Sequence, residues 1–349
     1  MNLQTAKPIR VDARLLALLE DLTNTNGVSG DEGAIRAIIR KQVAPYADEI
    51  KTDAMGNLLV IKHASQPSAL RVMMDAHMDE VGFMIVEEEG DGLFVFEKVG
   101  GCDERQLLSK AVLVGHDNLP GVIGCKPIHL AEEDEISSPV PLSAMRIDLG
   151  PAAKGKAKRG DFATYATRFL RSGDAIFAKA LDDRMGCATL IELLKHVPPQ
   201  IEFLAAFSVQ EEIGLRGARV AAYDFQPDLA IAIDSTPAVD MPRPDGRENT
   251  QYNCKLGAGP AIYLADAGTL SDPRLVNFLT RVAEENHLNF QFRQPGGGGT
   301  DAGALHLTGK GCPVVSVSIP GRYAHTAVMM SSLRDWQNAL QLLQYALLA

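Results

Sequence analysis

The chain has 349 residues, a length that usually divides into two domains, and its 46% hydrophobic and 22% charged residues are typical of a folded globular protein. Its net charge of -10 provides no positive field for phosphates, which argues against nucleic acid or a membrane surface as a partner. Five widely spaced cysteines without a CxxC motif indicate free thiols in a reducing compartment. Because we find neither a secretory leader nor a membrane-spanning run, we expect a cytoplasmic protein.

The N-terminal part of the chain is predicted to begin an α/β domain. Leucines near helical spacing predict a helix over 13–22, and a second helix follows with Ser29 as its expected N-terminal cap. The apolar runs GNLLVIKH and LRVMMDAHMD then predict two buried strands.

In the middle of the chain, short apolar pieces alternate with turn residues and show no helical period, which predicts a small β-barrel-like domain. After Ile176, strands and helices alternate again, up to a final helix in RDWQNALQLLQYALL. This alternation predicts a mostly parallel sheet with helices on its faces. We therefore assign residues 1–82 and 174–349 to one α/β domain, and residues 83–173 to an inserted β-rich domain.

Polar side chains follow the ends of several predicted strands. Ligands of open α/β sheets bind beyond the carboxyl ends of the strands, so we expect these side chains to meet at one edge. They are His77, Asp79, Asp182, Asp183, Glu211, Glu212, Asp234 and His325. Singly, each fits a helix cap or a solvated turn. Together, two histidines and several carboxylates without a cysteine match a site for divalent ions such as zinc, cobalt or manganese.

The adjacent residues Glu211 and Glu212 end an apolar strand, where an unpaired buried carboxylate would be costly. A site for two ions uses one bridging carboxylate, a histidine and a carboxylate for each ion, and one unligated carboxylate that carries protons. We therefore hypothesise that Glu212 is a ligand and that Glu211 is the general base.

Over nearly its whole length the sequence resembles the tetrahedral (glutamyl/leucyl) aminopeptidases, a cellulase-M-like family of dinuclear metallopeptidases. The resemblance rests on segments that occur in the family's order, among them DAHMDEVGFMI, AKALDDRMG, SVQEEIGLRGA, GGGGTDAGALHLT and RYAHTAV. It implies a zinc-peptidase-like fold, in which a mixed, mostly parallel sheet is flanked by helices. It also implies that residues 83–173 form a PDZ-like β-barrel that mediates dimerisation, and that the dimers assemble into a dodecamer acting on short peptides.

The resemblance further implies two divalent ions in each subunit, zinc or cobalt. One ion would be held by His77 and Asp234, the other by Glu212 and His325, and Asp182 would bridge both.

The same resemblance gives roles to three neighbouring carboxylates. Asp79 would hold the imidazole of His77 in its ligating tautomer, and Asp183 would follow Asp182 across a peptide bond that relatives often hold cis. Glu211 would move a proton from the metal-bound water to the leaving amine, with metal-bound hydroxide as the nucleophile.

Four further positions lie outside the predicted metal set. Thr300 and Asp301 follow a glycine run and are predicted to line the substrate cleft, with a plain loop as the alternative. Arg322 is predicted to contact the peptide, with a structural salt bridge as the alternative. Met329 stands where relatives often carry glutamate.

The predicted function is a two-metal aminopeptidase that removes N-terminal residues from short peptides. One alternative is a carboxypeptidase or N-acyl amidohydrolase on the same metal site, in which Arg184 or Arg322 would bind the substrate carboxylate. A metal-independent glycosidase would leave both histidines without a role. A non-catalytic scaffold would bind peptides to the barrel by strand addition, and it would not require a proton carrier at Glu211.

Overall fold

The chain folds into a helix-flanked sheet and a closed β-barrel, as a computed structural model shows for residues 7–67, 69–247, 249, 253–293 and 297–349. The predicted fold class, an α/β domain with a β-barrel domain, is confirmed. None of the helices in these ranges is long and apolar enough to cross a bilayer.

Eight α-helices lie in the described ranges: α1 (Ala13–Asn24), α2 (Gly33–Val43), α3 (Glu133–Ser137), α4 (Leu181–Leu194), α5 (Arg216–Phe225), α6 (Pro273–Glu285), α7 (Ala302–Leu305) and α8 (Leu333–Leu348). Short 3-10 helices span Glu104–Gln106, Ile128–Leu130, Leu142–Ala144 and Pro151–Ala153.

The strands divide between the two bodies. The large sheet contains β1 (Glu49–Thr52), β2 (Leu58–Lys62), β3 (Leu70–His77), β10 (Leu170–Ser172), β11 (Ala175–Ala178), β12 (Ile201–Ser208), β13 (Leu229–Pro237), β14 (Ala261–Tyr263), β15 (Gln291–Arg293), β16 (Val314–Arg322) and β17 (Met329–Ser332). The barrel contains β4 (Gly82–Gly90), β5 (Leu93–Val99), β6 (Ala111–Val114), β7 (Leu119–Gly124), β8 (Arg146–Asp148) and β9 (Phe162–Tyr165).

The centre of the large sheet is parallel. Strands run in the order β1-β2-β12-β3-β13-β16-β17-β11-β10, with β12, β3, β13 and β16 parallel and the outer pairs antiparallel. Successive residues of a strand face opposite sides. Met74 belongs to the core cluster that contains residues of α1, α2, α4, α6 and α8, whereas Met73 belongs to the cluster that contains residues of α5 and α7. Both faces are covered, which explains why these strands are continuous apolar runs.

The barrel has its own core. The Phe83 ring packs edge-on against Phe96 and Tyr165, with centroids 5.2 and 5.4 Å apart. One helical turn, α3, lies in this part of the chain, where the sequence predicts no helix. Strand β10 also falls within the predicted insert 83–173, but it pairs with β11 in the large sheet.

A buried ion pair joins the barrel to the sheet domain. The carboxylate of Glu80 lies 2.7 Å from the ammonium group of Lys179, accepts a hydrogen bond of 2.9 Å from Thr164 on β9, and accepts another of 3.0 Å from the backbone of Gly27. Both charged side chains are at most 3% exposed. We call this group, with its four residues, the barrel junction.

Candidate active site

The parallel strands bring the predicted polar residues to one edge. His77 ends β3 opposite Ser208, the last residue of β12, and the loop after β12 carries Glu211 and Glu212. Asp234 lies on β13. These residues border a cleft of about 470 Å³, together with Asp182 at the start of α4 and His325 after β16.

Asp182 faces both histidines. Its Oδ1 lies 3.3 Å from Nε2 of His77, and its Oδ2 lies 3.4 Å from Nε2 of His325. Nε2 of His77 also lies 3.8 Å from Oδ1 of Asp234, and Nε2 of His325 also lies 3.2 Å from Oε2 of Glu212. The structure therefore contains two groups of three candidate ligands that share one carboxylate, with the atoms of each group within 4.8 Å of one another.

A third candidate group combines His77 with Glu211 and Glu212. Glu211 is thus the one cleft carboxylate of this loop that lies outside the two groups sharing Asp182.

Asp79 connects the imidazole to the loop that carries the glutamates. Its Oδ1 lies 3.4 Å from Nδ1 of His77 and accepts a hydrogen bond of 3.1 Å from the backbone of Glu211, while its Oδ2 accepts one of 3.2 Å from the backbone of Glu212. Its Oδ2 also accepts a hydrogen bond of 2.6 Å from the hydroxyl of Ser29. Such a carboxylate orients both a histidine and a neighbouring loop.

The prediction that Ser29 caps α2 is wrong. Glu32 occupies the cap position of α2 and makes no side-chain hydrogen bond to the first turn. Ser29 instead donates to Asp79, a contact between residues 50 positions apart, which local sequence pattern cannot indicate.

The peptide bond between Asp182 and Asp183 is cis. Asp183 is fully buried, and its Oδ1 accepts a hydrogen bond of 3.0 Å from the backbone of Gly186 in the first turn of α4. The residue therefore acts as a local cap beneath the cleft.

The site concentrates negative charge in a desolvated place. Burial raises the pKa of Glu212 to about 8, that of Asp234 to about 7, and that of Glu211 well above its ordinary value. Burial alone would lower the pKa of His77, but its hydrogen bonds to carboxylates, first to Asp182, raise it well above the ordinary value.

These observations test whether the residues fit divalent ions. The donors are imidazole nitrogens and carboxylate oxygens with no thiolate, the set that zinc, cobalt and manganese accept. The cleft places four carboxylates, those of Asp182, Glu211, Glu212 and Asp234, beside two imidazoles, and two divalent ions would offset this excess of negative charge. The donor set and its charge therefore fit a metal pair.

Two predicted cleft residues lie behind the cleft wall. Thr300 is 1% exposed and its hydroxyl lies 2.6 Å from that of Ser316. Asp301 is 3% exposed, and the hydroxyl of Ser208 donates to it at 2.8 Å. Contrary to the prediction, the cleft is bordered by the preceding glycines 297–299, whereas Pro295 and Gly296 of the same run lie outside the described residues.

The arginines predicted to bind substrate are engaged elsewhere. Asp240 holds Arg322 through two contacts of 2.6 and 3.0 Å, so the salt-bridge alternative describes its position. Arg184 is fully buried and donates to backbone carbonyls, the shortest being that of Leu22 at 2.7 Å. Met329 is buried on β17.

A cation that sequence reasoning missed does border the cleft. Arg293 lies on β15, and its guanidinium is 4.6 Å from the ring centroid of Tyr263, which also borders the cleft. Arg293 precedes the glycine run by several residues and ends a three-residue strand, so no motif marks it.

Comparison with known proteins agrees with this geometry. The profile of the family described as M42 glutamyl aminopeptidase matches residues 56–342. The glutamyl aminopeptidase of Lactococcus lactis is 31% identical over 333 residues, covering 91% of this chain and 91% of that protein. The lysyl aminopeptidase of Pyrococcus furiosus is 31% identical over 337 residues, covering 93% and 94%.

A solved structure shows the same fold. The TET1 peptidase of Pyrococcus horikoshii, which can assemble into a tetrahedron or a large octahedral shell, superposes with a TM-score of 0.83 at 32% identity. The match covers 95% of this chain and 98% of that chain. The chain therefore belongs to the M42 glutamyl aminopeptidase family, and it is a peptide hydrolase.

Proposed function

We propose that the chain is a two-metal aminopeptidase that removes N-terminal residues from short peptides. The observation that carries this proposal is the carboxylate of Asp182, which faces His77 with one oxygen and His325 with the other. Asp234 completes the group around His77, and Glu212 completes the group around His325. Divalent ions held there would polarise the scissile carbonyl and lower the pKa of the attacking water.

Glu211 carries the proton in this proposal. It borders the cleft, lies outside both groups that share Asp182, and burial raises the pKa of its carboxyl group well above the usual range. A base with a raised pKa can accept a proton from the attacking water and return it to the leaving amine near neutral pH. Asp79 fixes the backbone of Glu211 and the ring of His77, so both keep their places during this transfer.

The two arginines named for the carboxypeptidase alternative do not support it. Arg322 is held by Asp240 and Arg184 is buried among carbonyls, so neither offers a free guanidinium to a substrate C-terminus. Cleft carboxylates, by contrast, suit a substrate with a free amine. A glycosidase would leave His77 and His325 without a function.

Hydrolysis of aminoacyl-p-nitroanilides by metal-stripped protein, with and without added zinc or cobalt, tests the proposal. We expect activity only after metal addition and only on substrates with a free amine. Cleavage of matched N-acetylated substrates would favour an amidohydrolase. No hydrolysis after metal addition would contradict the proposed function.

We also propose that the protein acts as a cytoplasmic homo-oligomer in which the barrel forms dimers and the dimers form a dodecamer. Exposed apolar side chains on the barrel support this role: Ile128 is 73% exposed, Leu130 is 59% exposed and Ile136 is 55% exposed. We call these three residues the barrel patch.

A further inference from the structure

Two loops form an apolar surface at the open rim of the cleft. Pro237 and Ala324 border the cleft, and three apolar side chains near them in the sequence are about half exposed: Val239 (54%), Met241 (48%) and Tyr323 (50%). We call these three residues the rim patch. Exposed apolar side chains beside a binding cleft are typical of a surface that receives part of a ligand.

Contacts between the two loops hold the rim patch together. The hydroxyl of Tyr323 donates to the sulfur of Met241 at 3.4 Å. Asp240, which precedes Met241, accepts hydrogen bonds of 2.6 and 3.0 Å from the guanidinium of Arg322. The side chain of Asn249 donates to the carbonyl of Met241 at 3.1 Å. The patch is therefore formed before a ligand arrives, which reduces the ordering that binding would require.

Tyr323 has a backbone conformation that a tyrosine seldom adopts. Its φ is 63°, in the left-handed region, and the φ of His325 is 58°. The hydroxyl of Thr326 stabilises this turn by donating to the carbonyl of Tyr323 at 2.8 Å. Strained backbone of this kind concentrates at ligand-binding and catalytic sites. The turn places a candidate metal ligand and an exposed aromatic ring two residues apart.

The cleft has a closed wall and an open rim. Tyr263 and Arg293 in the wall are each 3% exposed, whereas the rim patch is about half exposed. An aminopeptidase encloses the N-terminal residue of its substrate and leaves the rest of the peptide a way out. Tyr323 lies two residues before His325, so their Cα atoms are at most about 7 Å apart, the span of two residues in an extended peptide. The rim patch is therefore within reach of the residue that follows the scissile bond.

We propose that the rim patch binds the side chain of the substrate's second residue, and that the enzyme prefers peptides with an aromatic or large aliphatic residue there. This inference rests on the function proposed above. An apolar side chain that covers the Tyr323 ring removes apolar area of both partners from water. The flexible thioether of Met241 adapts to ring-shaped and branched side chains. Glycines 297–299 also border the cleft but have no side chain that could select a residue.

The test uses dipeptide amides that share their N-terminal residue and differ in the second residue, which is phenylalanine, leucine or serine. The shared residue is the one that the metal-loaded parent cleaves fastest among aminoacyl-p-nitroanilides. Dipeptide amides are needed because a nitroanilide itself places an aromatic ring after the scissile bond. We expect kcat/KM of the parent to be about 10-fold higher with phenylalanine or leucine than with serine, since the contact covers part of an apolar side chain.

Two variants remove parts of the rim patch. Met241→Ser and Tyr323→Asn should each lower the ratio of kcat/KM for phenylalanine over serine by about 3-fold or more. Asparagine is chosen because it tolerates a left-handed backbone. Tyr223→Ser, which removes an aromatic ring that is 69% exposed on α5, is the matched control and should keep the parent's ratio. Bound zinc is measured in each variant, and Met241→Ser decides the test if Tyr323→Asn loses metal.

Three outcomes would overturn the inference. One is a parent enzyme that cleaves the phenylalanine and serine substrates equally well, and another is a parental ratio in Met241→Ser. The third is an equal loss on all three substrates together with a smaller assembly in light scattering, which would assign the patch to a contact between subunits. Absence of metal-dependent hydrolysis from every free-amine substrate would instead contradict the proposed function itself.

Discussion

At the scale of single residues, Glu211 and Glu212 are adjacent in sequence but differ in their neighbours. Glu212 lies 3.2 Å from the imidazole of His325, whereas Glu211 lies in the cleft outside both groups that share Asp182. The backbone hydrogen bonds from both residues to Asp79 hold the pair in this arrangement. The conformation of this loop therefore gives the two glutamates different roles, with Glu212 as a candidate ligand and Glu211 as a candidate base.

Replacing Glu211 by glutamine tests the proton-carrying role. The variant should bind two equivalents of zinc, because the residue lies outside both ligand groups, and kcat should fall by about 10²–10⁴-fold, because general acid–base catalysis is lost. Metal content by elemental analysis and steady-state kinetics measure the two effects. Glu97→Gln, on an exposed barrel position, is the control, and parental turnover by Glu211→Gln would rule out the assigned role.

The charge of the site also predicts how the stability of the metal-stripped protein depends on pH. Burial raises the pKa of Glu212 from 4.5 to about 8 and that of Asp234 from 3.8 to about 7. For His325, burial lowers the pKa, but the hydrogen bond to Asp182 and further carboxylates raise it to about 9. Each group binds its proton more tightly in the folded state than in the unfolded state, so its contribution to stability is lost as pH rises.

We therefore expect the melting temperature of metal-stripped protein to fall from about pH 6 to about pH 9, across the cited pKa values. Added zinc should raise it most at the upper end, where protons no longer compete for the carboxylates. Scanning calorimetry with and without zinc measures both. A metal-free melting temperature that stays constant or rises over this range would contradict the charge arrangement.

At the scale of elements, the barrel junction joins strand β9 to segments that adjoin the candidate ligands. Glu80 lies three residues after His77, and Lys179 lies three residues before Asp182. Breaking a buried ion pair by removing one partner leaves an uncompensated charge, which typically costs about 3–5 kcal/mol.

Lys179→Met should therefore lower the free energy of unfolding by up to about 3–5 kcal/mol, because the counter-charge left beside the buried Glu80 is the more distant guanidinium of Arg184, at 3.9 Å. The double variant Glu80→Gln/Lys179→Met should lose less, since it removes both members of the ion pair and the buried Arg184 keeps its hydrogen bond to the carbonyl of Leu22. Lys51→Met, which removes an exposed pair with Asp224, should change stability by about 0–1 kcal/mol. Urea unfolding of the three variants measures the differences, and equal effects of Lys51→Met and Lys179→Met would show that the junction contributes little.

The sequence predicts elements better than contacts between them. Apolar runs predict β3, β12, β13 and β16, and the residues that follow them predict one shared edge, because this information is local and periodic. The positions of Ser29, Asp301 and Arg293 depend on partners far away in the chain. The glycines before Thr300 predict a loop that lines the cleft. Gly299 does border the cleft, but Thr300 is buried, and no local sequence pattern indicates this change in burial.

At the scale of the whole molecule, the barrel and the sheet domain both contribute to the cleft. Gly101, which follows β5 of the barrel, borders the cleft beside His325. The position of the barrel therefore affects how a substrate enters the cleft. A dimer contact on the barrel would hold that position more rigidly.

The barrel patch provides a test of the proposed assembly. Ile128→Asp combined with Leu130→Asp should reduce the mass of the assembly in solution, because two charges would be buried at an apolar contact. Multi-angle light scattering measures this mass. Leu170→Asp, on the exposed strand β10 of the sheet domain, is the matched control, and an unchanged mass in the barrel double variant would show that the patch lies outside the interface.

The order of the candidate ligands along the chain has a consequence for biosynthesis. They enter the site from segments spread between His77 and His325, with the entire barrel between the first of them and Asp182. A ribosome must translate past residue 325 before both halves of the centre can form. Interrupted translation products that end earlier would lack a ligand, so the cell would not release a degradative activity from unfinished copies of this chain.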